Sequence, residues 1–371
     1  MSKTSGSTNA KKFNLVGRLL AMAALLIVGW FIARSHAATA NIAAEAESGQ
    51  RSANAVVCGG ASGEGASGAQ AVKFGVSDCT TSGRTYTNPV KQSTADPGAF
   101  AWGGKYYMVS TSGNPSFNIF VSDDMANWQW ANAAVFDGTH PWGKDRFWAP
   151  ELHRVNNKFY VYYSAGDATG RMKIGVATAD TITGPYKDLG RPIVSDAAAD
   201  VIDINYFQDD TGKQYLYWKN NASSQIYVQE VAADGITLVG TAKSTLQPSL
   251  AWEGGTLEGS WTMKKDGQYY IFYSGNWFNS DKYGVGVARS ASPLGPWTKK
   301  GDPILKSGNR WKGPGHNSVL STNGGDYMLY HAWDRVPEAG DRIGLLDKIT
   351  WSNGWPSVAN GTPTETAQPL P

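Results

Sequence analysis

Five residues able to do chemistry stand at matching points of a long internal repeat: Asp96, Trp148, Asp203, Glu258 and His316. They lie in "ADPGAF", "FWAPELH", "DVIDINYF", "LEGSWT" and "GPGHNSV", nine or ten residues before Lys105, Lys158, Lys213, Gln268 and Asp326. Three of the five are carboxylates. Gathering them is costly, because like charges in a low-dielectric site oppose one another's ionisation. Acid–base catalysis supplies a reason, since it needs one carboxyl kept neutral and another kept ionised side by side. Taken singly, Asp96 before Pro97 reads as a turn initiator and Glu258 as a solvated strand end; the shared register argues against both. Clustered as they are, Asp96, Asp203, Glu258 and His316 also read as a mixed oxygen and nitrogen metal site. Trp148, in a chain with 15 tryptophans, favours a sugar instead, whose ring faces pack on aromatic planes.

The elements that must position these residues announce themselves as repeats. "GGKYYMVST", "NNKFYVYYSA", "TGKQYLYWKN", "DGQYYIFYSGN" and "GGDYMLYHAW" each join a turn to an aromatic strand, and their anchors are 53, 55, 55 and 58 residues apart. A fixed long period marks a repeat architecture. Each unit adds further strand candidates, with Gly-Pro turns in "GPY" and "GPW" before short closing strands. Three to four short strands per unit, five times over and without helical periodicity, predict an all-β, five-bladed β-propeller over residues 91–360, followed by a tail, 361–371. First strands of propeller blades line the central channel, so the five residues form a ring there. A helical solenoid is the poorer fit, having shorter repeats.

Ahead of the repeats, residues 1–40 combine a basic start, the apolar run Leu19–Ala33 and the small residues "HAATA". That layout predicts a secretory signal and an extracellular protein; an uncleaved N-terminal membrane anchor is the alternative. Residues 41–90 are rich in Gly, Ala and Ser and are expected to form a short β-hairpin and linker, a remnant of a carbohydrate-binding module. Cys58 and Cys79 are the only cysteines; downstream of a signal they predict a local disulfide. Removing residues 1–40 takes five bases and no acid with it, so the formal charge falls from +2 to −3. Neither nucleic acid nor another anionic partner is implied, and no obligate protein partner is evident. GxSxG, HExxH, GxxxxGK[ST] and CxxC motifs are all absent, which removes the serine hydrolase, zincin, P-loop and redox readings. His153 and His331 read as satisfied hydrogen-bonders near blade strands.

At the quoted motifs, from about Thr94 to about Val358, the chain resembles glycoside hydrolase family 43, five-bladed propeller enzymes acting on arabinose- and xylose-containing plant polysaccharide. The resemblance implies Asp96 as general base, Glu258 as general acid and Asp203 as the carboxylate that orients the acid and raises its pKa. It implies hydrolysis with inversion, which needs two carboxyl groups separated by room for a water. Trp148, Asn276 (in "YSGNWF") and His316 are the expected sugar contacts. "GPGHNSV" and "YSGNWF" look like the arabinan-cleaving members, so α-L-arabinofuranosyl linkages are expected; a β-xylosidase and a non-catalytic sugar-binding propeller are the alternatives. No cofactor is required. His316 resembles a position that helps hold a calcium ion in the channel, although imidazole is an uncommon ligand for that cation. The chain departs from the family pattern at Glu151, where Asp is frequent, and at Ile204, where Pro is.

Overall fold

The computed structural model describes the strand backbone of residues 55–59 and 70–74, and then residues 84–371 apart from 113–114, 137–140 and 337–339. The signal segment, Cys79 and the Cys58 side chain lie outside the described residues, and with them the expected disulfide. Two units are present, Met1–Arg84 and Thr85–Pro371. In the first, β1 (Ala55–Gly59) pairs antiparallel with β2 (Gln70–Phe74), opposing Cys58 to Ala71.

The second unit is the propeller. After β3 (Thr85–Tyr86), the first blade is β4 (Ala95–Trp102), β5 (Lys105–Thr111), β6 (Asn118–Ser122) and β7 (Gln129–Ala134). The second is β8 (Asp145–Val155), β9 (Lys158–Gly166), β10 (Met172–Ala179) and β11 (Lys187–Asp188). The third is β12 (Val201–Gln208), β13 (Gln214–Asn220), β14 (Gln225–Val231) and β15 (Leu238–Leu246). The fourth is β16 (Leu257–Lys265), β17 (Gln268–Gly275), β18 (Gly284–Ser290) and β19 (Thr298–Lys299), with β20 (Leu305–Lys306) also paired to β18. The fifth is β21 (Trp311–Thr322), β22 (Gly325–Asp334), β23 (Ile343–Ser352) and β24 (Trp355–Val358). Finally β25 (Gln368–Pro369) returns to pair with β3, so the segment after residue 360 belongs to the closure of the ring.

The aromatic strands are the second of each blade, and those of the second to fifth blades are buried on both faces: in β9 every residue after Lys158 is buried, and in β13 every residue. They are sandwiched between neighbouring blades, which explains their near-continuous apolar character. The core accordingly falls into five clusters, each at one blade–blade interface. Phe147 and Val161 meet Val109 and Phe117; Ile204 and Trp218 meet Tyr162 and Val176; Ile271 and Tyr273 meet Tyr217 and Val228. Trp311 and Tyr330 meet Phe272 and Val287, and Leu329 and Leu346 return to Ala99 and Met108. Ile204, where the family pattern has Pro, thus faces the core between the second and third blades.

Candidate active site

All five channel strands break at one equivalent point. Pairing skips between Ala95 and Gly98, Trp148 and Glu151, Ile202 and Asn205, Glu258 and Trp261, and Gly315 and Ser318. In each case two residues oppose one, which defines a β-bulge and re-aims the side chains there. The first bulged residue has positive φ in every blade: Asp96 (52°), Ala149 (43°), Asp203 (58°), Gly259 (53°) and His316 (46°). Left-handed backbone costs little for Gly and is tolerated by Asp, which suits three of the five. The second bulged residue is Pro97 in the first blade and Pro150 in the second, where a missing N–H disrupts no ladder bond.

This corrects the expected ring. Asp96, Asp203 and His316 are equivalent, but Glu258 and Trp148 stand one residue earlier, at the position held by Ala95, Ile202 and Gly315 elsewhere. The side chain of Glu258 therefore approaches the site from a different backbone position than the two aspartates.

A second ring supports the first. Opposite Ala95, Trp148, Ile202, Glu258 and Gly315 on the second strands are Thr111, Ser164, Lys219, Ser274 and His331. Four of these cap the bulge of the next blade. The N–H of Ala149 donates to Thr111 Oγ1 (2.8 Å), that of Asp203 to Ser164 Oγ (3.0 Å), that of His316 to Ser274 Oγ (2.8 Å) and that of Asp96 to His331 Nδ1 (3.1 Å). The fifth position is Lys219, whose ammonium has only donors. There the N–H of Gly259 turns to Asp203 Oδ2 at 3.2 Å.

Asp96 and Asp203 are buried, and the Glu258 side chain is nearly so. Asp96 Oδ1 accepts from Arg342 Nη1 at 2.7 Å and Oδ2 from the Thr111 hydroxyl at 2.6 Å. Burial alone would raise its pKa; Arg342 first, then His316, outweigh that and hold it well below the usual carboxylate range. Burial and the Arg342 charge push His331 down to about 4, so it accepts the Asp96 N–H as a neutral ring. His316 Nδ1 lies 3.3 Å from Asp96 Oδ1 and 3.9 Å from Asp203 Oδ2, bridging the two. Glu258 Oε2 accepts from Lys219 Nζ at 2.8 Å and Oε1 from the Tyr283 hydroxyl at 2.8 Å.

Electrostatics assign the proton differently from the expectation that Asp203 keeps Glu258 neutral. Burial would raise the Glu258 pKa, but the Lys219 charge and hydrogen bond, with that of Tyr283, hold it below the ordinary value. Asp203 is instead pushed up to about 6, by burial and by the charges of Glu258 and Asp96 against the opposing pull of His316. Of the two, Asp203 holds a proton up to about pH 6 and Glu258 is the one that ionises first. The reason is Lys219, a partner the repeat reading did not include.

Two glycines make the packing. A Cβ at Gly315 would fall 2.0 Å from Tyr283 Cε1, so the absence of a side chain there admits the ring that bonds Glu258. A Cβ at Gly259 would fall 2.9 Å from His316 Cγ, on a backbone already at positive φ.

Of the expected sugar contacts, Trp148 stands half-buried at the Glu258-equivalent position of the second blade. Asn276 takes a different role: its amide donates to Trp252 O and accepts from the Trp277 N–H, bracing its own loop. Trp277 beside it is 60% exposed, and the adjacent Phe278 ring lies under the Arg342 guanidinium. His153 is a satisfied hydrogen-bonder as expected, bonded to buried Glu151 (2.8 Å), whose carboxylate also accepts from Asn205 and the Tyr206 N–H. Among the described residues no three His, Cys, Asp or Glu side chains are grouped to hold a metal, and His316 Nδ1 is turned to two carboxylates. Arg342, Lys219, Tyr283 and the capping hydroxyls escaped the sequence reading. The run Thr111, Ser164, Lys219, Ser274, His331, six or five residues past the same anchors, was the signal that could have found the caps and Lys219.

Residues 86–356 match the profile of Glycosyl hydrolases family 43. A beta-D-galactofuranosidase of Aspergillus niger is 34% identical over 73% of this chain and 83% of its own. An extracellular endo-alpha-(1->5)-L-arabinanase of Bacillus subtilis is 28% identical over 71% and 86%. The crystal structure of a thermostable family-43 glycoside hydrolase, 34% identical, superposes with a TM-score of 0.72 over 77% of this chain and 99% of that one. By the profile match and these likenesses, the chain belongs to glycosyl hydrolases family 43.

Proposed function

We propose that the protein is an exported, inverting furanosidase that removes α-L-arabinofuranosyl units from plant polysaccharide. The supporting observation is an Asp96 held ionised together with a Glu258 held between two donors. Asp96 takes a proton from a water, whose oxygen bonds to the anomeric carbon. The glycosidic C–O bond breaks, and its oxygen takes the proton carried by Glu258. The charge of Glu258 in turn helps to raise the Asp203 pKa to about 6, beside burial. His316 and Arg342 keep the base ionised and aimed. Trp148 offers a face for the sugar ring.

The Aspergillus niger galactofuranosidase favours a second substrate, β-D-galactofuranosides. Their ring carbons share the configuration of α-L-arabinofuranose and differ in the exocyclic arm. Export accords with the extracellular arabinan-cleaving relatives.

A panel of aryl α-L-arabinofuranoside, β-D-galactofuranoside and β-D-xyloside, with linear arabinan, tests the assignment, and proton NMR of the first-formed anomer tests inversion. Turnover of the xyloside alone, or a retained anomer, would overturn it. Glu258→Gln should lose ~10²–10⁴-fold on poor leaving groups and far less on activated aryl glycosides, where protonation matters little. Equal losses on both would remove Glu258 from the acid role.

A further inference from the structure

We infer that Lys219 is a positioning residue for Glu258: it occupies the capping position of the third blade, and its ammonium fixes one oxygen of the acid and steadies the carboxylate left after proton donation. This rests on the reading of Glu258 as the acid. The inference comes from a comparison internal to the chain. Five equivalent second-strand positions carry Thr111, Ser164, Lys219, Ser274 and His331, and four of them accept the bulge N–H of the following blade. Folding alone would be served by a fifth hydroxyl. Instead the third blade carries a nearly buried lysine whose Nζ is 2.8 Å from Glu258 Oε2.

The exchange has two linked effects. It leaves the Gly259 N–H without its cap, so that bond goes to Asp203 Oδ2, tying the third-blade carboxylate to the residue beside the acid. It also puts a cation against the acid itself. Burying a lysine is costly unless it is paired, and no bulge requires it; its hydrogen-bonded partner is Glu258, with Asp203 a further charge it faces. As the proton leaves Glu258 for the glycosidic oxygen, negative charge grows on a carboxylate with Lys219 already on Oε2 and Tyr283 on Oε1. Preorganised donors aimed at developing charge are among the largest catalytic contributions. Besides these two, His316 from β21 acts on Glu258, and Asp203 from β12 feels the charges of both Glu258 and Asp96 from β4.

Lys219→Ser restores the hydroxyl the other blades use, so the fold should be kept. The expected result is a kcat on linear arabinan or a poor aryl leaving group lowered at least about tenfold, an activated dinitrophenyl glycoside lowered less than about threefold, and an alkaline limb of kcat/KM moved to higher pH. Lys219→Arg should return the limb most of the way. The same Lys219→Ser change made on top of Glu258→Gln should have no further leaving-group effect. An unmoved limb with equal losses on both substrates, or an undiminished effect in the Glu258→Gln background, would overturn the inference. Failure of the acid reading shows separately, as equal losses on both substrates in Glu258→Gln alone.

Discussion

A single methyl group decides whether Glu258 keeps its second donor. Gly315 leaves the space into which Tyr283 inserts, so Gly315→Ala should destabilise the protein by roughly 1–3 kcal/mol through overpacking and lower kcat on poor leaving groups. Urea denaturation and the same aryl glycoside pair would measure both. Asp96 is kept ionised chiefly by Arg342 against the effect of burial. Its folded pKa lies below the unfolded one, so it stabilises the native state above about pH 3.9 and that stability is lost as pH falls through the folded value. Arg342→Met removes the main opposing charge. The Asp96 pKa should then rise, and the acidic limb of kcat/KM should move to higher pH. Asp203 has the opposite sign. Its pKa is raised to about 6, so the stability it contributes in acid is lost as pH rises through that value. Asp203→Asn retains an acceptor for the Gly259 N–H and should gain on the order of 1–3 kcal/mol at neutral pH while losing most activity, a trade visible in paired melting and rate measurements.

At the level of the strand, the bulge is the working unit. It turns one residue per blade out of the pleat and leaves its N–H in need of an acceptor from the blade before. Ser164→Ala would orphan the Asp203 N–H in a buried setting, at roughly 1–3 kcal/mol, and should lower kcat with little change in leaving-group dependence, since Glu258 is untouched. The repeat, the aromatic strands and the residues Asp96, Asp203, Glu258 and His316 were legible because each is tied to a local turn-and-strand pattern. The one-residue offset of Glu258 was not. Its anchor distance equals those of Asp203 and His316, and only the two-against-one pairing of the ladder reveals that Gly259 is their counterpart. Arg342 was equally invisible: it reaches Asp96 across 246 residues of sequence, a relation that exists only once the last blade meets the first. Asn276 braces its own loop, a role that a polar residue after an aromatic strand takes as readily as that of a ligand.

For the whole molecule, closure of the ring and completion of the site are one event. Asn88, buried at the seam, accepts the Leu346 N–H and donates to Leu346 O and the Thr364 hydroxyl, while the Thr94 N–H bonds to Arg342 O at 2.8 Å. Asn88→Ala should lower stability by roughly 1–3 kcal/mol. Because the same seam seats Arg342, it should also shift the acidic limb of the pH profile, a coupling that an ordinary stability variant would lack.

The bulge of the second blade holds Ala149, which contributes no functional group to the site. Its backbone already has the left-handed turn that aims its four counterparts, and its N–H is already capped by Thr111. The scaffold thus has five seats and fills four with chemistry or with glycine. Ala149 is a vacant seat: an Asn or Asp there would inherit a pre-aimed backbone, and the specificity of the channel could be redesigned without moving a strand.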